Sequence, residues 1–328
     1  MADIYLHIKG RAGNQLSQYA FARLLKDKLN FESIYIIFNS LKQENEKKSS
    51  SDSFLFQDDL RLFNTDYLVS NKNILPLKTK IFWFVRRLID LICVKLFKVQ
   101  GFFKLPQVEK HTWRFFLRLG IISIYNIENI THFIAELPQM SFKNNVIVEG
   151  LFEDYRLNDL IRDILLKEYV SKAPMLSKNN QIYENARKES SICVSIRRGD
   201  FLNERFKSRH FVTDEDYYLK AISEIKARVE KPVFLIFSDD IDYAKGFFEN
   251  QDSILFEDGT DDIAEKIRMM SMCQHFIISN STFSYWAMYL GQAQNKIVIA
   301  PSIWKRPTKG YGVYSNLLKP EFSLIQVD

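Results

Sequence analysis

The chain has 328 residues, of which 46% are hydrophobic, so it can bury one large core or two ordinary ones, and two domains are the better expectation. The formal net charge of +5 is mild and points to no particular class of partner. Three widely spaced cysteines support neither a disulfide framework nor a metal cage, which indicates a reducing compartment. Ile4, Leu6 and Ile8 alternate as in a strand, so we expect no signal peptide and a cytoplasmic location.

The first elements along the chain read as a strand over residues 4–8, a tight loop over Gly10–Asn14 and a helix over residues 15–29. Backbone N–H groups at such a helix start can stabilise negative charge. The glycine spacing is not that of the dinucleotide fingerprint, so an ordinary entry turn is the alternative interpretation. A strand over residues 34–38 follows, and then the polar segment Lys42–Ser53, which reads as a solvated loop.

Residues 72–118 combine many basic side chains with many aromatic ones, the composition of an amphipathic segment at a membrane interface. Charges interrupt the segment too often for it to span a bilayer. Two interpretations stay open: peripheral contact with an anionic membrane, or helices that pack their apolar faces inside while lysine and arginine stems point outward. No nucleic-acid motif accompanies the segment, so we expect no nucleic-acid partner. The basic residues are Lys72, Lys78, Lys80, Arg86, Arg87, Lys95, Lys98, Lys104, Lys110, Arg114 and Arg118.

The second half of the chain alternates between strand and helix patterns, which predicts a parallel sheet with helices on both faces. The predicted strands cover residues 192–196, 233–237, 253–256, 275–278 and 297–300. A further strand at Val146–Val148 precedes a helical pattern over residues 155–170. We therefore predict an N-terminal domain over residues 1–175, a C-terminal domain over residues 176–305 and a C-terminal tail over residues 306–328.

The stretch that follows the strand at 192–196 carries the clearest chemical signal. It consists of Arg197, Arg198, Gly199 and Asp200, at the end of a buried strand, where α/β sheets place their ligands. A guanidinium offers a fixed fork of donors that suits a phosphate or diphosphate. The alternative interpretation is a surface arginine pair that ends a strand.

Five blocks in order resemble one known family. They are Gly10-Arg11-Ala12-Gly13-Asn14-Gln15 with Gln18 to Ala22; Val194-Ser195-Ile196-Arg197-Arg198-Gly199-Asp200-Phe201; Phe237-Ser238-Asp239-Asp240; Met270-Ser271 through Cys273 to Asn280-Ser281-Thr282-Phe283-Ser284-Tyr285-Trp286; and Ile297 to Pro301 with Trp304. The set resembles glycosyltransferase family 11, in particular its bacterial-type α-1,2-fucosyltransferases.

The resemblance implies an α/β fold of the glycosyltransferase-B type, with two Rossmann-like domains facing a cleft. It implies inverting transfer of L-fucose from GDP-fucose to the 2-hydroxyl of a terminal β-galactoside in a surface glycan, either an oligosaccharide or a lipid-linked glycan. No metal or other cofactor is expected. GDP-fucose is expected in the C-terminal domain, and the N-terminal domain is expected to be the acceptor-side domain.

The resemblance also implies roles for individual residues. Arg197 would hold the diphosphate, and Arg198 would fix Asp200 or the loop. Arg197, Asp200 and Asn14 are the catalytic candidates, with Asp200 and His210 open as the general base. His210 and Gln15 are acceptor-side candidates. The expected donor-binding residues are Gly10, Gly13, Asn14, Arg197, Arg198, Ser238, Asp239, Asn280, Ser281, Thr282, Phe283 and Ser284.

Three positions depart from the family pattern. Ser195 stands where a histidine is usual, Lys266 where an acidic residue is usual, and Tyr285 where a tryptophan is usual.

Two alternative functions remain. Asp240 and Asp242 form a D-x-D pair of the kind that holds a metal ion in other glycosyltransferases. A non-catalytic protein that binds sugar or membrane on a degenerate transferase fold is the other alternative.

Overall fold

The structure is a computed structural model that describes residues 2–38, 56–69, 74–97, 102–249, 253–306 and 315–327. It contains two compact units. The N-terminal unit comprises residues 1–61, 65–168 and 307–317, and the C-terminal unit comprises residues 62–64, 169–306 and 318–328. The change between units thus falls at residue 168 instead of the predicted 175. The polar segment Lys42–Ser53, together with Lys72 and Lys98, lies outside the described residues.

The N-terminal unit is built on a parallel sheet whose strand order is β3-β2-β1-β5-β4. Ile4 on β1 lies opposite Ile34 on β2 and opposite Val146 on β5. All three side chains are buried, as expected for strands covered on both faces. The strands are β1 (Ile4–His7), β2 (Ile34–Ile37), β3 (Leu68–Val69), β4 (Ile121–Ile122) and β5 (Val146–Val148).

Six helices of the N-terminal unit lie within the described ranges. The first begins at Ala12, three residues before the predicted start, and ends at Leu29, where Asn30 adopts a left-handed conformation (φ 55°) that closes the helix. The basic, aromatic segment forms the second and third helices. The six are α1 (Ala12–Leu29), α2 (Leu77–Phe97), α3 (Pro106–Arg118), α4 (Ile127–Glu136), α5 (Tyr155–Asp159) and α6 (Arg162–Glu168).

The C-terminal unit contains a second parallel sheet, with the strand order β11-β10-β9-β6-β7-β8. Helices and strands alternate along the chain, as predicted. The strands are β6 (Ser191–Ile196), β7 (Val233–Ser238), β8 (Ile254–Phe256), β9 (His275–Ile277), β10 (Val298–Pro301) and β11 (Ser323–Ile325). The helices are α7 (Asn180–Ala186), α8 (Glu204–His210), α9 (Glu215–Lys226), α10 (Ile241–Phe247), α11 (Ile263–Ser271) and α12 (Thr282–Leu290).

The last residues of the chain are not merely a tail. Residues 323–325 form β11, which pairs with β10 at the edge of the C-terminal sheet. The pattern over these three residues is too short to identify a strand in the sequence, and the free edge of β10 is what gives it a partner. The expectation of a C-terminal tail over residues 306–328 is therefore wrong for this strand.

In each sheet the chain adds strands on one side of its first strand and then reverses to the other side. In the C-terminal unit the chain begins with β6, adds β7 and β8 on one side, and then places β9 on the other side of β6. In the N-terminal unit the same reversal lies between β1 and β5. Open α/β sheets bind ligands beyond the carboxyl ends of the strands at this switch point. Two parallel α/β units are the architecture that the glycosyltransferase-B prediction requires.

Candidate active site

The arginine pair follows β6 directly, beside the switch point of the C-terminal sheet. Arg197 donates to the carboxylates of Asp200 and Asp239, and its guanidinium lies 5.2 Å from the ring centre of Phe201. Asp239 follows β7, the neighbour of β6, so the ends of two adjacent strands supply this contact. The guanidinium is therefore held in place by two carboxylates from different loops.

Arg198 has different partners. Its guanidinium carbon lies 3.4 Å from the ring centre of Tyr243, its Nε lies 3.4 Å from Asp240, and its backbone N–H donates to Asp239. Arg198 was expected to fix Asp200 or the loop; Asp200 binds Arg197, and the contacts of Arg198 are with residues that follow β7. The physical reason is that the two neighbouring side chains leave the strand end in different directions. Arg197 extends toward Asp200 and Asp239, and Arg198 extends toward Asp240.

Gly199 leaves room for the close approach of the Asp239 carboxylate. A Cβ atom at position 199 would lie 2.6 Å from the Asp239 Oδ2, closer than real Cβ contacts allow. Ser238 completes this corner, because its hydroxyl accepts from the backbone N–H of Asp240 at 3.0 Å. The loops after β6 and β7 are thus fitted to one another around the guanidinium of Arg197.

The turn after β9 leads into α12 on the other side of β6. Asn280 is 2% exposed, and its amide donates to the backbone oxygens of His210 and Trp304. Its side chain therefore shapes the turn. Ser281, the residue before α12, is half-buried and its side chain makes no capping hydrogen bond. Ser281, Thr282 and Phe283 start the helix, whose N-terminus favours negative charge.

Three buried hydroxyls connect this turn to β6. Ser284 Oγ lies 2.6 Å from Ser195 Oγ and 2.9 Å from Ser279 Oγ, and all three residues are almost fully buried. Ser195, the departure from the usual histidine, is thus a member of a satisfied hydroxyl cluster that ties the strand before Arg197 to the first turn of α12.

The other two departures are also accommodated. Lys266 lies 3.3 Å from the buried Glu257 and donates to the backbone oxygen of Gly259. Glu265, which could have taken the place of the missing acid, is 2% exposed and accepts from Tyr183, so it belongs to the packing of α7 against α11. Tyr285 is fully buried and stacks on Tyr289.

His210 and Asp200, the two candidates for a general base, both lie in the C-terminal unit. Burial first, and then the nearby Lys305 and Arg209, lower the pKa of His210 to about 4, so the imidazole is neutral at pH 7. A neutral imidazole can accept a proton. The Asp200 carboxylate is bound by Arg197.

The D-x-D pair lies at the start of α10. The Asp240 carboxylate accepts from the backbone N–H of Tyr243 and so caps the helix, and Asp242 follows in the first turn. Acidic residues are stabilising at a helix N-terminus without any metal ion. The positions of both residues are therefore explained by the helix.

In the N-terminal unit the glycine loop is fixed by two glutamines. The side-chain amide of Gln18 accepts from the backbone N–H of Lys9 and donates to the backbone oxygen of Lys9. Gln15 is fully buried: its amide donates to the carbonyls of Gly10 and Gln57 and accepts from the N–H of Asp59. The expectation that Gln15 contacts the acceptor is therefore wrong, because its hydrogen-bonding groups are engaged inside the unit.

Gly10 and Asn14 lie close together at the start of α1. Gly10 has φ +76°, and a Cβ there would lie 2.6 Å from the amide nitrogen of Asn14. A side chain at position 10 would be strained and would push Asn14 away. The half-buried Asn14 and the buried Gly13 are thereby held in the first turn of α1, where the sequence predicts donor contact.

A polar cluster at the switch point of the N-terminal sheet was missed by the sequence analysis. It consists of His7, Lys9, Trp83 and Glu149, with Lys9 Nζ 3.1 Å from Glu149 Oε1. Glu149 directly follows β5, but its partners come from β1 and α2. The only signal in the sequence is a charged residue at the end of a buried strand.

Comparison with known proteins agrees with these features. The sequence matches the family described as Glycosyl transferase family 11 over residues 3–310. The O-antigen biosynthesis glycosyltransferase WbnK of Escherichia coli is 27% identical over 324 residues, which cover 92% of this chain and 94% of that protein. An alpha-1,2-colitosyltransferase of Escherichia coli is 35% identical over 120 residues, or 35% of this chain and 41% of that protein.

The match to a human relative covers about a third of each chain. Galactoside alpha-(1,2)-fucosyltransferase 1 of Homo sapiens is 32% identical over 110 residues, which cover 32% of this chain and 30% of that protein. Because the family match extends over nearly the whole sequence and includes all five blocks, the chain belongs to glycosyltransferase family 11.

Proposed function

We propose that this protein transfers L-fucose from GDP-fucose to the 2-hydroxyl of a terminal β-galactoside in a surface glycan, with inversion and without a metal ion. The observation that carries the proposal is the position of Arg197 at the switch point of the C-terminal sheet, between Asp239 and the start of α12. The names of the relatives support the linkage and the class of donor.

The departing diphosphate is the charge that needs most stabilisation in such a transfer. A guanidinium has five N–H donors, and Asp200 and Asp239 engage its two terminal nitrogens. The remaining N–H groups of Arg197 can donate to phosphate oxygens. Because two carboxylates already fix the guanidinium, it loses little side-chain entropy when it binds the diphosphate. Preorganised donors of this kind lower the barrier most, because they need no rearrangement as charge develops.

The N-terminus of α12 supplies further stabilisation from the other side of the switch point. Ser281 offers a hydroxyl, and the first backbone N–H groups of the helix carry partial positive charge. Together with Arg197 these groups can take the role that a divalent cation has in metal-dependent glycosyltransferases. Asp240 and Asp242, the pair on which a metal-dependent reaction would rest, begin α10 instead.

The attacking hydroxyl must lose a proton as it bonds to carbon 1 of fucose. His210 is neutral at pH 7 because burial, Lys305 and Arg209 together lower its pKa to about 4, so the imidazole can accept a proton, which an imidazolium cannot do. Asp200 is the second candidate, because it binds Arg197, the residue proposed to hold the diphosphate. His210 and Asp200 are thus the two candidates for the general base.

A second donor deserves a parallel assay, because one relative is named a colitosyltransferase. Colitose is fucose without its 3-hydroxyl, so a site that accepts one sugar need differ little from a site that accepts the other. Ser195 and Lys266 are the departures from the family pattern that bear on the donor, and GDP-fucose is the preferred donor in the proposed reaction.

The test measures GDP release from GDP-fucose with lactose as acceptor, with and without EDTA, and determines the linkage in the product. If EDTA does not reduce GDP release and the product carries fucose at the 2-position, the result supports the donor, the linkage and the metal-independent mechanism together. Loss of activity with EDTA contradicts the metal-independent mechanism. Release from GDP-colitose but not from GDP-fucose contradicts the donor, and no turnover with either donor would favour a non-catalytic binding protein.

A further inference from the structure

The switch point of the N-terminal sheet carries a polar cluster that the donor site does not use. His7 ends β1, Lys9 follows two residues later, and Glu149 follows β5, the strand beside β1. Trp83 reaches the same place from α2. These four residues are called the switch-point cluster below. Their position is the one at which open α/β sheets bind ligands.

The side chains of the switch-point cluster contact one another directly. Glu149 accepts from Lys9 Nζ at 3.1 Å and from Trp83 Nε1 at 3.3 Å. The rings of His7 and Trp83 lie 4.8 Å apart, and the guanidinium carbon of Arg87 lies 5.0 Å from the Trp83 ring centre. The cluster thus combines a carboxylate, an amine, an imidazole and an indole within a few ångströms.

Charge and hydrogen bonding indicate the chemistry of a ligand. Burial favours a neutral Glu149, but the cations around it, Lys9 first among them, outweigh burial and hold its pKa well below the usual range. His7 is 4% exposed, and its Nε2 has no hydrogen-bond partner within the described part of the chain. Buried polar atoms are normally satisfied, so this nitrogen calls for a ligand group or an ordered water.

We propose that the switch-point cluster binds the sugar ring of the acceptor. An ionised carboxylate accepts hydrogen bonds from neighbouring hydroxyls, Lys9 donates to them, and the unpartnered His7 Nε2 can bind a further hydroxyl. A phosphate is a poorer match, because an ionised phosphate has no hydrogen to donate to the Glu149 carboxylate, which can only accept hydrogen bonds. This inference rests on the proposed function, since it takes the bound sugar to be the galactoside that accepts fucose.

The first test compares wild type with Glu149→Gln, in which the side chain keeps its shape and loses its charge. We expect the KM for lactose to rise at least tenfold, while hydrolysis of GDP-fucose without acceptor stays within twofold of wild type. Glu168→Gln is the matched control, because Glu168 also pairs with a basic residue, Arg23, in the same unit but at the end of α6. An unchanged KM in Glu149→Gln overturns the proposal.

The second test does not depend on turnover. Lactose is titrated against wild type and Trp83→Phe while tryptophan fluorescence is followed. We expect a saturable change in wild type that is lost in Trp83→Phe, and no such change in wild type would overturn the proposal. If lactose binds in this way but GDP-fucose is not consumed, the proposed function fails and the sugar site stands.

A second inference concerns the outer face of α2. This inference does not depend on the switch-point cluster. The inner face is attached to the unit: Thr79 donates to the backbone oxygen of Leu119, and Arg86 lies over the rings of Phe103 and Phe116. The opposite face exposes large apolar side chains along the helix. They are Leu77, Ile81, Phe84, Val85, Leu88, Leu91 and Ile92, with Leu77 73% exposed and Phe84 66% exposed.

Basic side chains accompany this apolar face. Lys78, Lys80, Arg87 and Lys95 are exposed on α2. The single acidic residue of the helix, Asp90, is half-buried and accepts from the backbone N–H of Phe103. An exposed apolar stripe with basic neighbours matches a lipid surface that has an apolar interior and anionic headgroups. None of the described helices is long and apolar enough to cross a membrane.

We infer that the outer face of α2 docks on an anionic lipid surface. A second copy of this chain is a poorer occupant, because a two-fold interface would bring the basic residues of one face against those of the other. The apolar side chains would enter the boundary between headgroups and acyl chains, and the lysines would contact the headgroups. This inference does not depend on the transferase activity.

The test is co-sedimentation at low salt with vesicles of phosphatidylcholine, with and without phosphatidylglycerol. We expect wild type to bind the anionic vesicles and the double variant Phe84→Glu with Leu88→Glu to lose at least nine tenths of that binding. Leu219→Glu is the control, because Leu219 is an apolar side chain of α9 that is 53% exposed. Equal binding by wild type and the double variant overturns the inference, as does a wild-type dimer that the double variant converts to monomer.

Discussion

Replacement of Arg197 by alanine is the most direct test of the donor site. The guanidinium joins Asp200 and Asp239, whose side chains are 25% and 23% exposed, so its removal breaks two partly exposed ion pairs. Such pairs contribute about 1 kcal/mol or less each, so the protein should remain folded. The loss of one preorganised donor to the leaving group should reduce kcat by about 100- to 1,000-fold, which corresponds to about 2.7 to 4 kcal/mol.

The fork of the guanidinium can be separated from its charge with Arg197→Lys. A single ammonium keeps the charge but cannot bridge Asp200 and Asp239 while it binds phosphate, so we expect a loss of about 10- to 100-fold. The assay is GDP release at saturating GDP-fucose and lactose, with thermal unfolding measured on the same samples. Arg228→Ala, which removes a pair with Glu224 on α9, is the matched control and should keep full activity. Arg197→Ala with more than a tenth of wild-type kcat would refute the reasoning.

Three further predictions concern stability. Gln15→Ala removes three hydrogen bonds of a fully buried amide and should lower the free energy of unfolding by about 2 to 4 kcal/mol, and an unchanged urea midpoint would contradict its structural role. Ser284→Ala leaves Ser195 and Ser279 without their shared partner and should cost about 1 to 2 kcal/mol in the same measurement, whereas a neutral result would contradict the hydroxyl cluster. His7 is buried with its pKa lowered from 6.5 to about 4, so the unfolded chain takes up the proton first as pH falls. Stability should therefore decrease by about 2 kcal/mol between pH 7 and pH 5, and His7→Gln should remove that part of the pH dependence in urea unfolding.

The sequence by itself determined the order and type of most elements. Strands such as β1 and β6 are short apolar runs, and in the C-terminal half they alternate with helical patterns, so a parallel α/β sheet follows from local pattern alone. The arginine pair could also be located in advance, because charged residues directly after a buried strand lie at the ligand-binding edge of a sheet. The resemblance of the five blocks to the family indicates the reaction in which these residues take part.

Local pattern could not decide how each polar side chain is used. Gln15 stands at the start of a helix beside a glycine loop, a position that suits a ligand contact as well as a buried hydrogen bond. The tertiary structure decided in favour of burial, because the chain around Gln57 and Asp59 covers its amide. For the same reason the sequence leaves open whether Arg198 fixes Asp200 or the loop, because only the packing of two loops determines which arginine Asp200 meets.

The switch-point cluster depends entirely on tertiary structure. Lys9 and Glu149 are 140 positions apart in the chain, and they meet because β5 pairs with β1. Nothing in either strand specifies its neighbour, since apolar parallel strands present the same backbone hydrogen-bonding groups to any partner. Strand order is fixed only when the helices and the remaining strands pack together, and so the sequence determines the residues at each strand end while the fold decides which of them meet.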